Sequence, residues 1–245
     1  MNITDWYGHK QMNFEVGGRK SFIVCPEHPL PGNPWVWRTE FFGAFDIVDR
    51  ALLDQGWHLA YHSASSMYGN PESIRNFDEF YQVAVQEYHM NEKVVLFGFS
   101  RGGLYAFNFA LKYPDRVKVI YLDAPVLDLK SWPGGLGHGV GDVKCYHEAV
   151  TQLGYTEENF AEYHENPLDN TEKLAAHNIP IIIVYGDSDE VVPYDENALP
   201  FFHRYRAAGG DIEMIGKRNC NHHPHSLDVP EPVVWFINDR YFRQA

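Results

Sequence analysis

Residues 93 to 114 read KVVLFGFSRGGLYAFNFALKYP. Val94, Val95, Leu96 and Phe97 form a short β-branched and aromatic run, the composition of a strand buried on both faces. Gly98-Phe99-Ser100-Arg101-Gly102 follows at once, and Leu104, Phe107 and Leu111 then recur at helical spacing until Pro114 ends the pattern. The order is strand, Gly-x-Ser-x-Gly, helix. Glycines two residues before and two after the serine let the backbone turn sharply with no Cβ in the way. Ser100 is therefore expected at the tip of a strained turn, exposed and close to a helix N-terminus.

Upstream of this stretch, Phe77, Phe80, Tyr81, Ala84, Val85 and Tyr88 mark a helix face, preceded by a loop over residues 62 to 71 and a strand over 57 to 61. Phe41, Phe45, Val48 and Leu52 mark an earlier helix closed near Gly56. Residues 26 to 38, PEHPLPGNPWVWR, carry four prolines and read as a fixed irregular loop. Residues 12 to 16 and 20 to 25, joined by Gly17-Gly18, read as a hairpin.

Downstream, residues 117 to 122 form another buried strand, after which residues 126 to 178 are polar and glycine-rich, with short helical pieces near 142 to 153 and 157 to 164. An excursion of that length between two sheet strands reads as a cap. Residues 179 to 185 are again continuously apolar, 199 to 208 helical, 212 to 215 a last strand, and 230 to 241 an amphipathic closing helix opened by prolines. Strands alternating with helices predict an α/β fold: a mostly parallel central sheet with helices on both faces, and a small cap inserted after the sixth strand. One domain over 1 to 245 is expected, with the cap at about 126 to 178.

The 245 residues are 44% hydrophobic, enough for a large core in one domain. Net charge is 20 minus 33, or -13, which argues against nucleic acid and against anionic membranes as partners. Nothing approaches the ~20 apolar residues of a membrane span. The first residues, MNITDWYGHKQMNFEV, have no apolar core behind a basic start. Cys25, Cys145 and Cys220 are odd in number and show no paired spacing, so free thiols in a reducing cytoplasm are expected.

On the Gly-x-Ser-x-Gly elbow between strand and helix, the chain resembles the α/β-hydrolase superfamily over roughly residues 12 to 243. A serine hydroxyl is a poor nucleophile at neutral pH and needs a histidine to take its proton and an acid to orient that histidine. After the strand ending at Tyr185 comes Gly186-Asp187-Ser188-Asp189-Glu190-Val191-Val192-Pro193. The resemblance aligns the acid with Asp189, with Asp187 the near alternative. After the last strand comes Asn219-Cys220-Asn221-His222-His223-Pro224-His225. The superfamily places its histidine at the head of this loop, which points to His222 ahead of His223 and His225. Ser100, Asp189, His222 is the superfamily's chain order.

The same resemblance makes the Arg101 N–H one oxyanion donor. The second is expected from the loop after the third strand, read as residues 26 to 38, with Trp35 the expected donor, although the usual His-Gly is absent there. The Arg101 side chain is expected to pair with Asp123. Trp37, Tyr68 and Trp132 fall on loops expected to ring Ser100, where they would bind substrate or pack the cap onto the core.

His222, His223, His225, Asp187 and Asp189 are also metal-ligand types. Adjacent histidines in HHPH are expected to present diverging rings, and a metal would leave Ser100 without a role, so no metal and no cofactor are expected. These residues imply a serine hydrolase acting on a small-molecule substrate through an acyl-enzyme. The first reading is a small carboxylic ester, such as an acylated sugar or aromatic ester. The alternatives are a serine peptidase of the prolyl-oligopeptidase type on the same triad, and a non-catalytic ligand-binding protein of hydrolase fold.

Overall fold

A computed structural model describes residues 2–243. Nine strands form one sheet, and in chain order they are β1 (Asn2–Trp6), β2 (His9–Val16), β3 (Arg19–Cys25), β4 (Trp35–Arg38), β5 (His58–His62), β6 (Val94–Phe99), β7 (Val117–Asp123), β8 (Ile181–Gly186) and β9 (Ile212–Lys217). Their spatial order is β1-β2-β3-β5-β4-β6-β7-β8-β9. β1, β2, β3 and β5 pair antiparallel in succession, and every pair from β5 through β4 to β9 is parallel. This is the mostly parallel α/β sheet that the sequence predicts.

β6 shows why the sheet is buried on both sides. Val94 and Leu96 face one apolar cluster while Val95, Phe97 and Phe99 face the other, because side chains alternate along a strand. The first cluster is covered by α2 (Pro71–Gln86), α3 (Gly102–Lys112), α5 (Thr171–Ala175) and α6 (Ala198–Ala207), the second by α1 (Ile47–Asp54) and α7 (Glu231–Phe242). α2 begins as its sequence dictates: Pro71 opens it, and the Asn70 side chain accepts the Ser73 N–H.

The structure departs from the sequence reading in two places that matter for the site. Residues 35 to 38 are not loop but the strand β4, between β5 and β6. Four prolines obscure a Trp-Val-Trp-Arg run whose alternation puts Trp35 and Trp37 into one core cluster and Val36 into the other. The excursion between β7 and β8 follows the seventh strand, not the sixth. It carries α4 (Val143–Gln152) and short 3-10 turns at Phe160–Glu162 and Pro167–Asn170.

That excursion is tied down. The Asn197 side chain accepts the N–H groups of Leu127 and Asp128, and Glu196 accepts from Ser131 Oγ and the His138 N–H, each at 2.6 Å. No helix among the described residues is long and apolar enough to cross a membrane. Cys25, Cys145 and Cys220 are free thiols.

Candidate active site

β6 delivers Ser100 to the carboxyl edge of the sheet, where the turn into α3 leaves its backbone at φ 49. A side chain in that left-handed region is strained, and the surroundings hold it there. Ser100 N–H donates to the Asp123 carbonyl, and the Ser100 carbonyl accepts from Gly103 and Val126. Gly98 must be glycine, because a Cβ there would stand 2.9 Å from Leu122 Cδ2 and 3.0 Å from Ala106 Cβ.

Three loops meet at this turn. His222 Nε2 lies 3.0 Å from Ser100 Oγ, and His222 Nδ1 lies 2.8 Å from Asp189 Oδ2. The other carboxylate oxygen of Asp189 accepts the N–H groups of Val191 and Val192 at 2.9 and 2.8 Å, fixing the acid in its turn. An ionised carboxylate only accepts, so Nδ1 of His222 carries the hydrogen and Nε2 presents its lone pair to the serine. Asp187 faces solvent, and its carboxylate accepts from the neighbouring Ser188 hydroxyl.

The other two histidines take different places. His223 is exposed and stacked on Phe45, with ring centroids 5.3 Å apart. His225 is buried, and its Nδ1 lies 2.8 Å from Asp123 Oδ1. Asp123 also accepts the Tyr121 hydroxyl and the Ser226 N–H.

With Asp123 occupied in this way, the expected Arg101–Asp123 pair does not form. Arg101 instead faces Glu40 at 3.6 Å, across the loop that follows β4. Glu40 also accepts from Ser65 Oγ at 2.5 Å. Burial pushes the Glu40 carboxyl above its ordinary range, and the Arg101 charge and the Ser65 hydrogen bond oppose that rise. The sequence offers no signal for this pair, because the partners are 61 positions apart and meet only through the sheet.

Trp35 does not serve the oxyanion. It pairs in register with Val94, at the far end of β6 from Ser100, and its indole N–H donates to the Asn91 carbonyl. Six residues of strand put it roughly 20 Å from the serine. The loop beside the elbow is residues 39 to 46, stapled there by Thr39, whose hydroxyl donates to the carbonyls of Phe97 and Gly102. Among the described residues the Arg101 backbone N–H donates no hydrogen bond, so it is free to meet an oxyanion.

Trp37, Tyr68 and Trp132 are core side chains, and the Tyr68 ring lies 5.9 Å from the Arg101 guanidinium. Trp37 and Tyr68 are wholly buried, and Trp132 packs into the same cluster. Tyr68 reaches Glu148 of α4 through its hydroxyl at 3.2 Å, which ties the cap to the core. Aromatic groups of the 39 to 46 loop and the antiparallel strands border open space beside the elbow. Phe22, Phe41, Phe42 and Tyr61 line a cavity of about 410 Å³ with Glu40, Ser65 and Arg101. The signal that would have found it is the Thr-Glu-Phe-Phe run that follows β4, once that strand is recognised.

Comparison with known proteins agrees with this architecture. A model of the prolyl oligopeptidase family matches residues 60–232. Among solved structures, Porphyromonas gingivalis dipeptidyl peptidase 4 superposes with a TM-score of 0.70 at 15% identity, over 95% of this chain and 35% of that one. The acylaminoacyl peptidase of Pyrococcus horikoshii gives 0.72 at 13% identity, over 97% of this chain and 42% of that one. A puromycin hydrolase gives 0.69 at 16% identity, over 94% and 37%. This chain thus spans about two fifths of the length of these structures or less. No curated protein sequence matches it significantly.

Proposed function

The chain belongs to the prolyl oligopeptidase family, and from that premise we propose that it is a serine hydrolase cleaving short peptide-type amides through an acyl-enzyme, in preference to a small ester. The observation that carries the reading is the unbroken line from Asp189 through His222 to Ser100, at 2.8 and 3.0 Å, ending on a serine held at positive φ.

The roles follow from the chemistry of acyl transfer. Ser100 Oγ attacks the carbonyl carbon while His222 Nε2 takes its proton, and Asp189 stabilises the imidazolium that forms. The tetrahedral oxyanion meets the Arg101 N–H and an N–H of the 39 to 46 loop. When the intermediate collapses, His222 returns the proton to the departing amine nitrogen, a step an amide needs more than an ester does because an amide anion is a very poor leaving group. Water, deprotonated by the same imidazole, then releases the acyl group.

The cavity beside Arg101 would take a side chain adjacent to the scissile bond. Its four aromatic walls favour an apolar or aromatic one.

The test is a panel of aminoacyl and dipeptidyl p-nitroanilides beside matched p-nitrophenyl esters, each assayed with wild type and Ser100→Ala. Anilide turnover that vanishes in the variant is the expected result. Ester turnover with no anilide cleavage would restore the ester reading. No turnover and no fluorophosphonate adduct at Ser100 would leave a ligand-binding protein of hydrolase fold.

A further inference from the structure

His222, His223 and His225 come from one loop, yet their rings converge. Their centroids stand 4.8 to 4.9 Å apart, and one ring nitrogen of each lies within 4.8 Å of those of the other two. The divergence expected from adjacent positions does not occur, because the three side chains pack edge to face against one another at the carboxyl edge of the sheet.

The chemistry of two of the three nitrogens is settled by their partners. Asp189 accepts Nδ1–H of His222 and Asp123 accepts Nδ1–H of His225, so each ring offers a lone pair on Nε2. A carboxylate behind an imidazole in this way orients it and raises its basicity, which is the outer-shell arrangement of histidine zinc centres. His223 supplies the third ring, stacked at 13° to the Phe45 ring. Two carboxylates stand behind the cluster. Lys217 nearby is occupied by the carbonyls of Pro224 and Ser226.

We propose that His222, His223 and His225 form a zinc-binding site, and that Zn²⁺ bound there withdraws His222 Nε2 from Ser100 and reversibly stops turnover. The arrest of turnover rests on the reading of His222 as the base; the binding does not. Zinc holds imidazole nitrogens at about 2.0–2.1 Å and nearly tetrahedral angles, so the three must close to about 3.3 Å from one another. The exposed His223 has the freedom to make that adjustment. Water takes the fourth position, and Ser100 loses its hydrogen bond to the ring.

The experiment is calorimetric titration of zinc chloride at neutral pH into the Ser100→Ala protein, followed by Co²⁺ titration with visible absorption to report the coordination shell. One ion per chain is expected. Adding His223→Ala should weaken binding at least tenfold, whereas adding His138→Ala should leave it unchanged; His138 is an exposed histidine beside Asp195 and Glu196. Wild-type turnover should fall over the same zinc concentrations and return on chelation. Absence of saturable binding, or binding abolished by His138→Ala and untouched by His223→Ala, overturns the site. Binding that depends on His223 but leaves turnover unaffected overturns the inhibition. A wild-type protein with no turnover on any substrate defeats the hydrolase reading instead, and the calorimetry still decides the metal site.

Discussion

Gly186, the last residue of β8, lies against the backbone of Asn221: a Cβ built on it would stand 2.6 Å from the Asn221 carbonyl oxygen, and closer still to that of Cys220. The sheet therefore sets the height of the loop that carries His222. Nothing flexible intervenes, since both obstructing atoms are backbone.

Gly186→Ala should lift that loop and move the imbalance directly into the chemistry. A displacement near 1 Å at a reacting group is worth about 100-fold. We expect kcat/KM to fall by about that factor, with fluorophosphonate labelling of Ser100 slowing in parallel. Unchanged labelling would show that the loop is not positioned by this contact.

The two aspartates of the Asp187-Ser188-Asp189 turn should separate cleanly. Asp189→Asn is expected to lower kcat by about 10⁴, because an amide in place of the carboxylate fixes the wrong tautomer of His222. Asp187→Asn, altering an exposed side chain, should leave kcat within a few-fold of wild type. A comparable loss at both positions would remove the assignment of the acid.

Ser100 combines a proposed chemical role with a backbone conformation that only glycine adopts freely. Ser100→Ala and Ser100→Gly should both lose turnover by a factor of about 10³ or more. The glycine variant should nevertheless melt higher than the alanine variant. Relief of left-handed strain is worth about 1 kcal/mol, or about 2–4 °C for a chain of this length. Equal melting temperatures would mean the turn stores no strain.

Arg38 and Asp49 form a buried pair, Nη2 to Oδ2 at 2.9 Å, with the guanidinium 3.7 Å from the Phe99 ring centroid. Asp49→Ala strands a buried cation and should cost roughly 3–5 kcal/mol in denaturant unfolding. Replacing both partners, as Arg38→Met with Asp49→Leu, should recover most of that loss. A double variant no better than the single one would point to packing of Arg38 on Phe99 as the larger contribution.

His62 sets an acid limit on stability. It is fully buried, its Nδ1 meets Ser21 Oγ, and its Nε2 has no partner among the described residues, so burial and then the Arg19 charge lower its pKa to about 4. The unfolded chain, with an ordinary value near 6.5, binds that proton more readily. The sign is therefore stability fully present above pH 6.5 and lost as pH falls toward 4, by roughly 3 kcal/mol in all. Chemical denaturation at pH 7 and pH 4.5 should show the drop, and His62→Gln should remove most of the difference.

The elbow was legible because it is local. Strand, glycine, serine, glycine and helix are consecutive, and each constrains the backbone of the next few residues, so composition and period carried the fold class, the parallel sheet and Ser100. Asp189 and His222 are reached by resemblance, from the turn pattern after β8 and the head of the loop after β9, each from a short list, and the fold brings His222 within hydrogen-bond distance of both Asp189 and Ser100.

What the sequence could not carry were relationships across the sheet. β4 is hidden by the prolines before it, and with it the loop beside Ser100, so Trp35 reads as a loop residue near the elbow when it opens a strand at the end of the sheet far from Ser100. Arg101 was expected to choose Asp123. Tertiary packing gave Asp123 to His225, Tyr121 and Ser226 and left Arg101 to Glu40.

The amino-acid order by itself determined the buried run of β6, the glycine turn that follows it and which serine stands at the elbow, since these depend on neighbours within a few positions. Which carboxylate faces which imidazole, and that three adjacent histidines converge on one point, only the tertiary structure decided. Those distances are set by strands and loops far apart in the chain, brought together by burial on the two faces of one sheet.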